Sequence, residues 1–104
     1  MEKYKVTVTE KAINDIMEIS SYISKELGYA EKAEKLVERL KVAIQSLSNM
    51  PKRNGLLKDE EFALRGIRRI LVDNYVIFYI CSDKDLLVSV IRVLYKKRNW
   101  NDLI

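Results

Sequence analysis

The side chains of this sequence best equipped to act on another molecule are cations, and their densest run is Arg92 followed by Lys96, Lys97 and Arg98, with Tyr95 and Trp100 interleaved. Arg65, Arg68 and Arg69 form an earlier group. A guanidinium stays charged at any ordinary pH and offers a planar fork that grips a carboxylate or phosphate with two hydrogen bonds. Two readings of the set are open. In one, Arg65, Arg68 or Arg69 and Arg92 approach a common groove with Lys96-Lys97-Arg98 at its end, making an anion-facing patch. In the other they are scattered surface cations whose apolar stems lie over a sheet.

Much chemistry is excluded. There is no histidine, hence no imidazole base, no Ser-His-Asp or Cys-His pair and no histidine-containing zinc site. The three glycines fall in neither of the usual phosphate-cradling spacings. Asp59-Glu60-Glu61 are adjacent acids that do not share a face, and they read as solvent-facing charge, so neither a metal nor a cofactor is expected. Cys81 sits inside an apolar run and reads as a small core residue of a reducing compartment. The net charge of +4, with a sequence pI ≈ 9.2, favours an anionic partner such as nucleic acid or an acidic protein.

These cations are carried by three consecutive strands, Ile67–Val72, Tyr75–Cys81 and Leu86–Tyr95, rich in β-branched and aromatic residues. Joints as short as Asp73-Asn74 and Ser82-Asp83-Lys84-Asp85 suit antiparallel hairpins. Strict alternation along the last strand sets Val88, Val90, Arg92, Leu94 and Lys96 against Ser89, Ile91, Val93, Tyr95 and Lys97. The middle strand has no polar alternation, so both of its faces need cover.

Upstream, Tyr4–Val8 alternates as an edge or near-edge strand, and Thr9 is placed to cap a helix. Ile13, Ile16, Met17, Ser20, Ile23 and Leu27 mark that helix's apolar stripe, which Gly28 terminates. A second helix carries Ala33, Leu36, Val37, Leu40, Ala43, Ile44 and Leu47. So short a joint makes an antiparallel hairpin that covers one sheet face. Met50-Pro51 stops the second helix, Lys52–Phe62 reads as an irregular polar loop, and Trp100, Leu103 and Ile104 indicate a tail that docks. The two helices leave the second sheet face open, for a partner segment that folds on binding or for a second copy of the chain.

The 104 residues thus make one domain, 1–104, of α+β class: an N-terminal strand and an antiparallel helical hairpin packed on one face of a mostly antiparallel four-stranded sheet. No run reaches the roughly 18 apolar residues of a membrane span, and the N-terminus lacks a signal-peptide pattern, so no membrane contact and a cytoplasmic location are expected.

The element order, together with Gly66-Ile67-Arg68-Arg69, Asn74-Tyr75-Val76-Ile77-Phe78-Tyr79 and Ile91-Arg92-Val93-Leu94-Tyr95-Lys96-Lys97-Arg98-Asn99-Trp100, resembles the RelE/ParE superfamily of toxins from type II toxin–antitoxin modules. The ending is similar to the "IxRVLHGRRDW" pattern of the ParE-like branch. Tyr95, Lys96 and Asn99 stand where histidine, glycine and aspartate are common.

The resemblance implies a growth-arresting toxin of a plasmid stabilisation module, held inactive by an antitoxin whose C-terminal segment wraps it, with a homodimer or a heterotetramer with antitoxin as possible assemblies. In the ParE-like branch the target is DNA gyrase, met by a protein contact, and Arg92, Tyr95, Lys96, Lys97, Arg98 and Trp100 would form the target-facing patch. In the RelE-like branch the toxin cleaves mRNA on the ribosome, and Arg69, Lys96, Lys97 and Arg98 would surround the scissile phosphate as the catalytic set. Val76 stands where RelE-like sequences commonly carry arginine, which favours the first branch. An inactive or non-toxic binding module of the same fold is the third reading.

Overall fold

The computed structural model describes residues 3–104. Strand β1 (Lys5–Val8) leads into helix α1 (Glu10–Ser21), a π-helical turn (Tyr22–Glu26) and helix α2 (Ala30–Ser46). A 3-10 turn (Pro51–Arg53) and the short helix α3 (Glu60–Leu64) precede strands β2 (Ile67–Val72), β3 (Tyr75–Ser82) and β4 (Leu87–Tyr95). The three strands read from the sequence are present to within a residue.

The sheet runs in the order β1-β4-β3-β2. The two hairpins are antiparallel, whereas β1 lies parallel to β4 with Val6 opposite Val88 and Val8 opposite Val90. The result is a mixed, mostly antiparallel sheet with β4 in its interior.

Helix α1 starts where Thr9 predicts: its Oγ1 accepts the Ala12 amide at 3.3 Å and satisfies one of the otherwise orphaned first-turn donors. The burial of α1 departs from the expected stripe. Ala12 and Asp15 are buried and Ile16, Ile19 and Ile23 half-buried, while Ile13, Met17 and Leu27 are exposed. For Leu27 the widened last turn contributes, because Leu27 N–H bonds Tyr22 O at 3.1 Å. The extra residue in that turn shifts the phase of the residues beyond it by roughly 100°. Helix α2 buries Ala33, Leu36, Leu40 and Ile44, as its spacing predicts.

The helix-side core gathers Ala12, Leu36, Leu40, Ile44 and Leu47 against Ile77, Tyr79, Val88, Val90 and Val93. The opposite face corrects the expectation of an open surface. Leu57, Phe62, Ile67, Val76, Phe78 and Leu94 form a second buried cluster, joined by Ile80, Ile91, Trp100, Leu103 and Ile104. The chain covers this face itself, with α3 and its approach on one side and the tail on the other. Helix α3 stands where the sequence predicts irregular loop. Asp59, expected as solvated charge, caps it by accepting the Phe62 amide at 3.2 Å, and Glu60 and Glu61 fill its first turn.

A β-bulge corrects the alternation of β4. Phe78 pairs with Arg92 but Tyr79 pairs with Val90, which leaves Ile91 as the extra residue. Beyond the bulge the faces are exchanged, so Val93 joins Val88 and Val90 in the helix-side core and Leu94 joins the other cluster.

Candidate functional site

Because β1 ends at Val8, the outer edge of β4 lacks a strand partner beyond Val90. Helix α1 supplies one in side-chain form. Asp15 Oδ2 accepts the Val93 amide at 3.0 Å, and the same carboxylate receives Arg92 Nε at 2.7 Å and Nη2 at 2.8 Å. Arg92 Nη1 then donates to Leu103 O at 2.8 Å. One buried ion pair, with side-chain exposures of 16% and 9%, thus fastens α1, the bulged strand and the tail. The Asp15 hydrogen bonds hold the Arg92 guanidinium above its already high ordinary pKa, against the opposing effect of burial.

Two more arginines hold the tail. Arg65 Nη1 donates to Ile104 O at 2.8 Å, and Arg69 lies 5.8 Å above the centre of the Trp100 ring, a cation–π contact. Trp100 in turn packs on Phe78 with ring centres 4.9 Å apart. Arg68 is turned elsewhere and donates to Asn54 O at 2.6 Å. Of the groove anticipated from the sequence, Arg65, Arg69 and Arg92 therefore do converge, but on the chain's own tail.

Of the six residues expected in the target-facing patch, Arg92 is engaged internally as described and Trp100 is half-buried against Phe78. Tyr95, Lys96, Lys97 and Arg98 are exposed where β4 gives way to a turn closed by Arg98 N–H to Tyr95 O at 3.0 Å. The Tyr95 ring stands edge-on to Tyr75 at 5.7 Å. Among the described residues, the side chains of Lys96, Lys97 and Arg98 have no hydrogen-bond or ion-pair partner. Four consecutive residues, three of them unneutralised cations, thus face outward from the end of β4. No group of three or more Cys, Asp or Glu side chains among the described residues is placed to hold a metal ion.

The family model of the ParE toxin of the type II toxin–antitoxin system parDE matches residues 6–100. The chain belongs to the ParE toxin family. No curated protein matches it in sequence. Among solved structures, the chromosomal ParDE system of P. aeruginosa superposes with a TM-score of 0.72 at 18% identity, over 89% of this chain and 96% of that one. The RelBE2 toxin–antitoxin complex of Mycobacterium tuberculosis gives 0.61 at 21% identity, over 89% and 98%. A mutant of E. coli toxin RelE in the free state gives 0.63 at 18%, over 91% and 85%. At such identities the likeness is one of fold, and the RelE/ParE architecture expected from the strand and helix order is the one observed.

Sequence reasoning missed Asp15. Its signal was its position: on α1 it follows Ala12 by three residues and precedes Ile19 by four, the phase that faces the sheet, and a lone carboxylate there needs a partner.

Proposed function

We propose that this ParE-family toxin, when free of its antitoxin, arrests growth through a protein contact with DNA gyrase, made by Tyr95, Lys96, Lys97 and Arg98. The observation that carries this reading is the contrast between that exposed run, whose three cations have no partner among the described residues, and the adjoining sheet face, which Trp100 closes by packing on Phe78. A phosphodiester laid over Phe78 for cleavage would first have to displace that ring. A contact surface at the strand end needs no such rearrangement. In this reading Arg92 and Trp100 position the tail and do not touch the target. The partner that restrains the toxin is an antitoxin, as in the ParDE and RelBE assemblies of the related structures, and the toxin–antitoxin pair acts in the cytoplasm.

The test is induction of the chain alone, with DNA breaks and the SOS response followed beside primer extension on mRNA. Gyrase poisoning predicts breaks and inhibited supercoiling by purified gyrase. Codon-phased mRNA cuts would instead establish the ribosome-dependent nuclease, with Arg69, Lys96, Lys97 and Arg98 as its catalytic set, and undisturbed growth would mark an inactive module. Arg98→Ala is expected to weaken arrest by roughly 10-fold or more while leaving the melting temperature unchanged, since an exposed, unpaired side chain contributes little to folding. Full toxicity of that variant would remove Arg98 from the site.

A further inference from the structure

Between the end of α1 with its π turn and the facing ends of β3 and β4 lies a cleft of about 500 Å3. Ile19, Tyr22 and Leu27 wall it on the helical side, and Tyr75, Tyr95 and Arg98 on the strand side. Tyr22 is 55% exposed and Leu27 47%. Among the described residues, the hydroxyls of Tyr22, Tyr75 and Tyr95 have no hydrogen-bond partner, and neither has the Arg98 guanidinium. An apolar slot bounded by aromatic rings, free donors and an arginine has the composition of a protein-binding hot spot.

Charge narrows the class of occupant. Asp15 and Glu18 also border the cleft. Asp15 is neutralised by Arg92, but Glu18 makes no ion pair among the described residues and would repel a string of phosphates. A neutral bulky side chain in the slot meets none of that repulsion, and a single adjacent carboxylate meets far less of it than a phosphate string and can pair with Arg98 at the rim. The slot is also continuous with the outward-facing run, because Tyr95 and Arg98 belong to both.

From the juxtaposition of the Tyr22–Leu27 wall with Tyr75, Tyr95 and Arg98, we propose that the cleft is a socket for a bulky apolar side chain of the target protein, with an adjacent target carboxylate held by Arg98. The proposal deepens the protein-contact reading above and rests on it. It adds that the toxin recognises an apolar anchor beside an acid, and not negative charge alone.

Tyr22→Ala and Leu27→Ala each remove part of the wall and leave the cationic run intact. Each is expected to raise the inducer level needed for growth arrest by roughly 10-fold or more, with unchanged antitoxin affinity in the purified complex. Tyr22→Phe, which keeps the ring, is expected to retain most of the arrest. Should Tyr22→Ala lower the melting temperature, Leu27→Ala decides. Normal arrest by both alanine variants overturns the socket, whether antitoxin binding is unchanged or weakened; the weakened case would make the cleft the antitoxin's seat. Single-stranded RNA binding by the wild-type protein that Tyr22→Ala abolishes would overturn it as well. Purified gyrase holoenzyme separates the two proposals: if the wild-type chain leaves supercoiling untouched, the gyrase reading fails alone, and the socket is still judged by arrest in cells.

Discussion

At the scale of single residues, the buried Asp15–Arg92 pair matters most, because one carboxylate satisfies both a guanidinium and an unpaired strand-edge amide. Asp15→Ala strands both donors and is expected to destabilise the fold by about 3–5 kcal/mol, read by chemical denaturation. Replacing both partners by apolar residues of similar volume should recover much of that loss. The pair also shows what sequence alone conveys. Arg92 is visible as a cation on a strand, but its inward role depends on a bulge one residue away and on a helical carboxylate 77 positions earlier, neither of which leaves a mark in local alternation.

Tyr79 gives the second prediction at this scale. Its buried hydroxyl donates to Pro51 O at 2.5 Å and accepts from Asn54 Nδ2 at 3.1 Å. Burial raises its pKa above the ordinary 10.0, and the hydrogen bond from Asn54 opposes that only in part. The folded state therefore holds this proton more tightly than the unfolded chain. The stabilisation is complete below the unfolded value and is lost as pH rises through the higher folded one. Stability measured by denaturant should thus fall at pH above about 10, and Tyr79→Phe should flatten that fall while costing about 1 kcal/mol at neutral pH.

At the scale of elements, the second core cluster depends on two short pieces, α3 and the tail. Asp59→Ala removes the cap of α3 and is expected to cost about 1 kcal/mol, with faster amide exchange confined to residues 57–66. Trp100→Ala removes the ring that Phe78 and Arg69 enclose and should cost about 3 kcal/mol, exposing apolar surface that a hydrophobic dye detects. The docking of the tail is legible from Trp100, Leu103 and Ile104, since three large apolar groups in six residues are not left in water. The closure of the face by Leu57 and Phe62 is not. Their five-residue separation matches neither helical nor strand periodicity, and the acids between them resemble a solvated loop. The long helix α2 is readable because its apolar stripe repeats over several turns, and the three strands because β-branched and aromatic residues fill them and short polar joints bound them.

At the scale of the whole molecule, β4 lies between β1 and β3 although it is the last strand in the chain. The first strand has no neighbour until the last one arrives. A chain emerging from the ribosome amino end first therefore shows its helical hairpin with the apolar side bare, and no sheet can assemble around β1 before residues 87–90 are in place. Long-range closure of this kind slows folding. Any partner that binds the early hairpin meets it before the strand end that carries Tyr95 and Arg98 exists as a surface.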